Sequence, residues 1–541
     1  MRALFHNGSV FDGHRYRGAG QVEVVDDRIV SVVAQAPDVQ RPTTGFDEVI
    51  DLRGGLIAPG FIDAHVHAVQ GGLERIRCDL SEQSTRAEYL AEIAAYAAAH
   101  RDLPWILGGG WAMSAFPGGT PLAADLDALV PDRPVFLPNR DHHGAWVNSR
   151  ALEVAGIDAR TPDPVDGYFE RDADGNPTGT VHEGAMALIT RRLPPTSDEE
   201  YYRAFLAGQS YLHSHGVTGW QDAILGDYVG INDPSETYLR AARSGDLTAT
   251  VTGALWWDRD RGEEQLPDLL ARRSAYTHGR LAATSIKIMQ DGVAENFTAA
   301  MSQPYLDRCG HPTKNRGHSF VEGDALKQYV AALAGEGFQV HVHAIGDRGV
   351  REALDAFEYA GPDITDLRHH IAHLQVIDPV DVPRFAALGV SANLQALWAC
   401  YDDQMIELTI PFLGEERSSW QYPFGDLHRT GARLCAGSDW PVSTGDPMAA
   451  IHVAVNRIGH GEDKPALLPE QALSLEAAMA AYTSGSAWIN HRDDAGVLAP
   501  GRVADLVVLD RDPFARPAAE IGAARAVSTW VGGHRVFSAD H

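Results

Sequence analysis

Two histidines stand one residue apart in "FIDAHVH" (residues 61–67), and the same spacing returns in "FQVHVHAIGD" (338–347). In an extended strand, residues i and i+2 project from one face. His65 and His67 therefore form one imidazole pair, and His341 and His343 another. Lys287 stands in the apolar stretch "SIKIMQDG" (285–292), His373 in "HHIAHLQ" (369–375) and Asp439 in "RLCAGSDWP" (433–441). Burying this many ionisable groups without partners costs several kcal/mol each. A divalent metal removes that cost by taking imidazoles and a carboxylate as ligands. A lone histidine at a strand end is ordinarily a hydrogen-bonded core or surface residue. His-x-His twice, followed by His and Asp on later strands, points instead to a metal.

These residues need a scaffold that brings strand ends together. Eight short apolar segments have strand character: 61–67, 217–222, 248–255, 285–292, 338–347, 369–375, 389–395 and 433–441. Helical stretches such as "GVREALDAFEYA" lie between several of them. This alternation predicts an α/β fold, a (β/α)8 barrel spanning 59–69 and 206–484. An open doubly wound sheet is the alternative, but no Gly-rich phosphate loop follows any strand. About 150 residues separate the first two strands, far more than one crossover helix requires. Residues 70–205 are read as an inserted subdomain over the barrel mouth. Both termini read as short strands with turns, including a hairpin at Asn7-Gly8 in "ALFHNGSVF". They predict one composite β-sandwich domain from 1–58 and 485–541.

Composition narrows the functional classes. Lys+Arg 45 against Asp+Glu 73 gives a net charge of −28, which argues against nucleic acid or an anionic membrane surface as partner. Cys78, Cys309, Cys400 and Cys435 form no CxxC pair and read as reduced thiols. The first residues carry no apolar signal core, and no apolar run reaches the ~18 residues of a membrane span. The expected location is the cytoplasm.

The chain resembles the amidohydrolase superfamily. "VIDLRGGLIAPGFIDAHVH", "HGVTGWQD" and "PGRVADLVVLD" carry the resemblance from end to end. "IKIMQDG", "VHAIGDRG", "IAHLQ", "GSDWPV", "LDALVPDRPVFLPNRDHHGAWVNSRAL" and "GNPTGTVHEGA" are similar to the subgroup of N-substituted formamide deformylases. The resemblance implies that His65, His67 and Asp439 bind one metal, and that His343 and His373 bind a second. Lys287 would bridge them as a carbamate, since an unmodified lysine is a cation and a poor ligand. It implies one or two divalent ions, Zn²⁺ by ligand type, and a homodimer. Asp439 would also move protons, and Lys287 and His343 would belong to the catalytic set. His341, His369 and His370 are weaker candidates, as is His142 beside His143.

His143 and Glu183 match positions of that subgroup and are expected to touch substrate. Trp111, Trp398 and Trp440 lie near strand ends or lid segments and are expected to line an apolar pocket. With no Arg cluster to clamp phosphate, the expected substrate is a small neutral molecule with an apolar N-substituent. The leading activity is hydrolysis of a non-peptide C–N bond in a linear amide. Ester, carbamate or cyclic-amide cleavage and deamination remain open on the same scaffold, as does a non-catalytic metal-binding barrel.

Overall fold

The computed structural model describes residues 1–34, 44–228 and 230–539. Residues 35–43, 540 and 541 of the expected terminal domain lie outside that description. All eight expected barrel strands form. They are Phe61–Val66, Val217–Leu225, Thr250–Trp256, Leu281–Met289, Gln339–Ala344, His370–His373, Ser391–Leu394 and Leu434–Ala436. They pair in parallel and in sequence order around one sheet. Their side chains are buried almost throughout, as expected for strands covered on both faces.

The first and eighth strands meet just beyond the end of the eighth. Asp439 N–H donates to His65 C=O at 2.8 Å, and His67 N–H donates to Trp440 C=O at 2.9 Å. Gly437 permits that approach: a Cβ there would stand 2.5 Å from the His65 nitrogen. We expect Gly437→Ala to force the two strands apart and to cost about 1–3 kcal/mol. A denaturant titration measures this; an unchanged midpoint would show that the closure tolerates a methyl group.

The two termini join in one sheet of eight strands. Leu56–Pro59, just before the first barrel strand, pairs antiparallel with Leu506–Leu509, and Ala526–Val531 and His534–Ser538 extend the same sheet. The turn at Asp26-Asp27 forms between Tyr16–Val25 and Arg28–Ala34. The expected Asn7-Gly8 hairpin does not. Arg2–Phe11 runs through as one strand, with a register shift between Phe5 and Gly8 and Asn7 at φ +61°. The Asn-Gly pair makes a bulge because Gly8 packs against the Gly55 carbonyl, where a Cβ would sit at 2.6 Å.

Between the first two barrel strands lies a separate six-stranded sheet. Its order is Gly167–Arg171, Pro177–Glu183, Gly144–Val147, Val135–Pro138, Ile106–Gly109 and Cys78–Asp79. The "DADGN" turn makes an antiparallel hairpin of its first two strands. Trp111, Phe116, Trp146 and Leu137 build a core of its own. All four cysteines are unpaired, and only Cys309 is exposed.

Candidate metal centre and active site

The first barrel strand delivers its histidines by simple alternation. Asp63, His65 and His67 share one face, and His65 is 1% exposed. Asp439 comes from the loop after the eighth strand and meets them. Its Oδ1 lies 3.2 Å from His65 Nε2 and 3.1 Å from His67 Nε2, and its Oδ2 lies 3.7 Å from His373 Nδ1. Burial opposes the Asp439 charge, but His65, His67 and His373 hold the carboxyl well below the usual range. Burial pushes His65 down to about 3 and His373 well below its usual value. His65 and His373 are therefore neutral, the state a metal ligand needs.

The other candidates converge on the same point. Lys287 Nζ, on the fourth strand, is 3.4 Å from His65 Nε2. Burial lowers its ammonium to about 7 against the pull of Asp439. His343, on the fifth strand, has its ring 4.3 Å from that of His373. Burial and then Lys287 hold His343 well below its usual value. His341 does not enter the cluster but touches it. Its Nε2 lies 2.9 Å from His65 Nδ1. With the shared proton assigned to His65 Nδ1, His65 Nε2 is free as a donor atom. The His370 ring lies tilted against that of His341 at 4.0 Å, and His369 Nδ1 accepts the Val340 N–H.

The donor set fits a divalent cation. His65, His373 and Asp439 each present an atom within 4.8 Å of the others. Both His373 nitrogens and Asp439 Oδ1 are buried without a hydrogen-bond partner among the described residues. Each such group costs about 1–3 kcal/mol, and their lone pairs are what a cation uses. The tight group is thus His65, His373 and Asp439. The sequence had divided these residues between two sites.

The insertion adds a charged pair. His143 Nδ1 lies 2.9 and 3.0 Å from the two Glu183 oxygens. Thr298 donates to Glu183 Oε1 at 2.8 Å, and Asn296 donates to the His143 carbonyl at 3.1 Å. Burial disfavours the His143 cation, but Glu183 and Asp141 outweigh it and raise His143 to about 9. Its ring stands 5.9 Å from that of His343. His142 also borders the cavity and lies 2.9 Å from Gln70 and 3.2 Å from Glu74.

A cavity of about 50 Å³ holds these groups together. Ile224, Tyr228, Trp256, Met289, Ile345 and Trp398 give it a largely apolar wall. Trp398 stacks flat on His373 at 5.4 Å. Three expectations fail here. Trp111 is wholly buried in the insertion core, where Nε1 donates to Leu137 C=O. The Trp440 ring packs on Gly71 and stacks on Tyr211 at 4.5 Å, so only its backbone reaches the site. Glu183 stands behind His143 and is not part of the cavity lining.

Several residues were missed. Asp63 accepts from His65 N–H and from the Ser438 backbone and hydroxyl, and so ties the Asp439 loop to the first strand. Its place two residues before His65 was the available signal. Asp291 accepts three backbone N–H groups, from Ala300, Ile345 and Gly346, beside His343. Tyr228, Trp256 and Asp141 carry no spacing signature. His142, Glu183, His373 and Asp439 all have positive φ, between +49° and +79°, a conformation non-glycine residues seldom hold.

A (β/α)8 barrel with imidazoles and a carboxylate gathered at its strand C-termini defines a metal-dependent hydrolase. The chain belongs to the amidohydrolase family, whose profile matches residues 48–537. It is 30% identical over 548 residues to the protein named as amidohydrolase YtcJ of Bacillus subtilis (strain 168), covering 99% of each chain. It is 25% identical over 536 residues to N-substituted formamide deformylase of Arthrobacter pascens, covering 95% of this chain and 94% of that one. The crystal structure of an uncharacterized metal-dependent hydrolase from Pyrococcus furiosus superposes with a TM-score of 0.71 at 25% identity. That match covers 95% of this chain and 100% of the other.

Proposed function

We propose that the protein hydrolyses a linear, non-peptide amide, an N-substituted formamide or a close analogue, with Zn²⁺ as the natural metal. The observation that carries the reading is the meeting of His65, His67, Lys287, His343, His373 and Asp439 from five barrel strands at one apolar-walled cavity. In this reading His65, His67, His373 and Asp439 hold one cation. His343 and a carboxylated Lys287 serve a second. A bound cation would lower the pKa of water and polarise the amide carbonyl.

The chain's own groups do the rest. Burial leaves part of the Lys287 population as free amine near neutral pH. That amine can form an N–C bond to CO2 and release a proton. Asp439, unprotonated and beside the imidazoles, accepts the proton of the attacking water and delivers it to the departing nitrogen. An amine leaves poorly without that proton. The His143 imidazolium, held by Glu183, faces the cavity and can donate to the substrate carbonyl oxygen. Trp398, Trp256 and Met289 offer apolar surface to the N-substituent.

The test is a screen of the zinc-loaded protein on N-alkyl formamides, esters and aryl amines. Equimolar formate and primary amine are expected. Ammonia or alcohol as the only product would overturn the amide reading. Lys287→Met should lower zinc from two ions to one per chain by elemental analysis; an unchanged content would remove Lys287 from the metal set.

A further inference from the structure

The active-site cavity is small for its proposed task. Its volume is about 50 Å³, whereas sites for small organic molecules span roughly 300–1,000 Å³. Two further cavities adjoin it. One of about 40 Å³ lies between the helix Ala68–Ile76, which follows the first barrel strand, and the insertion. Leu73, Leu107, Phe136, Pro138, Leu193 and Ile231 give it an apolar wall. The other, of about 20 Å³, lies beside Asp222 and Pro234. Gln70 lines all three cavities, and no other described residue does.

The backbone that carries Gln70 is pinned. A Cβ at Gly71 would stand 2.6 Å from the Trp440 ring, and one at Gly72 would stand 1.9 Å from the Ala204 carbonyl oxygen. The helix packs too closely to shift, so the Gln70 side chain decides how the cavities communicate. Gln70 is 8% exposed. Its Nε2 lies 2.9 Å from His142 Nδ1, across the boundary with the insertion, and donates to Glu74 Oε1 at 3.4 Å. His142 lines both the active-site cavity and the apolar one. The hydrogen-bonded Gln70–His142 pair is therefore the wall between them.

The space behind that wall suits a hydrocarbon chain. Its two ionisable groups besides His142 are Glu74 and Arg77. Burial pushes Glu74 up to about 8, so its carboxyl is uncharged at neutral pH. Arg77 is already committed, donating to Glu200 at 2.9 Å and to Thr196 at 2.8 Å. Six apolar side chains then dominate the surface that a ligand would meet.

We propose that Gln70 determines specificity: its side chain is a partition that ends the pocket for the N-substituent, and truncating it opens the apolar cavity behind. The choice of substrate rests on the amide-hydrolase reading above; the partition itself does not. Zinc-loaded wild type and Gln70→Ala are compared on N-methyl to N-hexyl formamides. Wild-type kcat/KM is expected to level off or fall beyond short chains. In Gln70→Ala each added methylene should raise it about fourfold. Gln70→Met keeps the bulk and loses the His142 bond, so it should keep the wild-type profile. Gln70→Ser makes the same truncation and serves if Gln70→Ala does not fold. Adding Leu107→Phe to the truncated variant should refill the far cavity and cancel the gain. One chain-length profile shared by wild type and an active truncated variant, or Gln70→Met behaving as Gln70→Ala, would overturn the proposal. If no formamide is turned over, calorimetric titration with 1-butanol and 1-octanol decides. Affinity rising with chain length in the truncated variant alone upholds the partition while the amide reading falls. Equal or absent binding in both proteins overturns the partition as well.

Discussion

Asp439→Asn is expected to fold normally and to turn over amide about 10²–10⁴-fold more slowly. The carboxylate has two jobs in one place. It supplies the only negative charge in the tight His65–His373–Asp439 group, and in the proposed reaction it accepts the proton of the attacking water. An amide side chain keeps the shape and hydrogen-bonding capacity but accepts no proton. The Asp439 N–H bond to His65 is made by the backbone and survives the change. Fold should therefore be retained while kcat collapses. Elemental analysis beside the rate separates lost metal from lost proton transfer. A variant within tenfold of wild type, with its metal present, would remove Asp439 from the chemistry.

Glu183→Gln is expected to be the most destabilising single change near the site, by about 3–5 kcal/mol, because it removes the carboxylate that touches a buried imidazolium and leaves it only the more distant Asp141 and Asp439. Denaturant unfolding of the metal-free protein measures the cost. Replacing both residues, as His143→Gln with Glu183→Gln, should recover part of it; a double variant as unstable as the sum would show that the two do not interact. The pair also sets a pH window. His143 is raised when folded, so its contribution is complete below its unfolded value and fades as pH rises through about 9. Glu183 is lowered by His143 despite burial. Its contribution is present above the ordinary carboxylate range and fades as pH falls through its folded value. Wild-type stability should show both losses, and Glu183→Gln should lack the one at low pH.

The barrel was legible because eight apolar segments alternate with helices, and each polar residue at a strand end keeps strand period. His65 and His67 were visible for that reason, and so were His341 and His343. The same period places Asp63 on the His65 face, but one carboxylate among apolar neighbours does not announce itself. The tryptophans fail for a related reason. A sequence places Trp440 at the site but not which way the ring turns, and Gly71 and Tyr211 draw it away. The Asn7-Gly8 dipeptide shows the limit of local signals. Its turn preference is real, yet the packing of Gly8 against Gly55 converts a reversal into a bulge. The His143–Glu183 contact joins residues 40 apart through a sheet that no spacing rule describes.

The positive φ angles of His373 and Asp439 bear on how this protein can change. Each such residue costs on the order of 1–3 kcal/mol, and each lies on a different segment. Substituting glycine there relaxes the backbone but deletes the working side chain. Thermal hardening and turnover therefore pull against each other at these positions. A laboratory selection for heat resistance alone should accumulate changes at them and yield sturdy, inactive barrels. A selection that retains turnover should find its stabilising changes elsewhere.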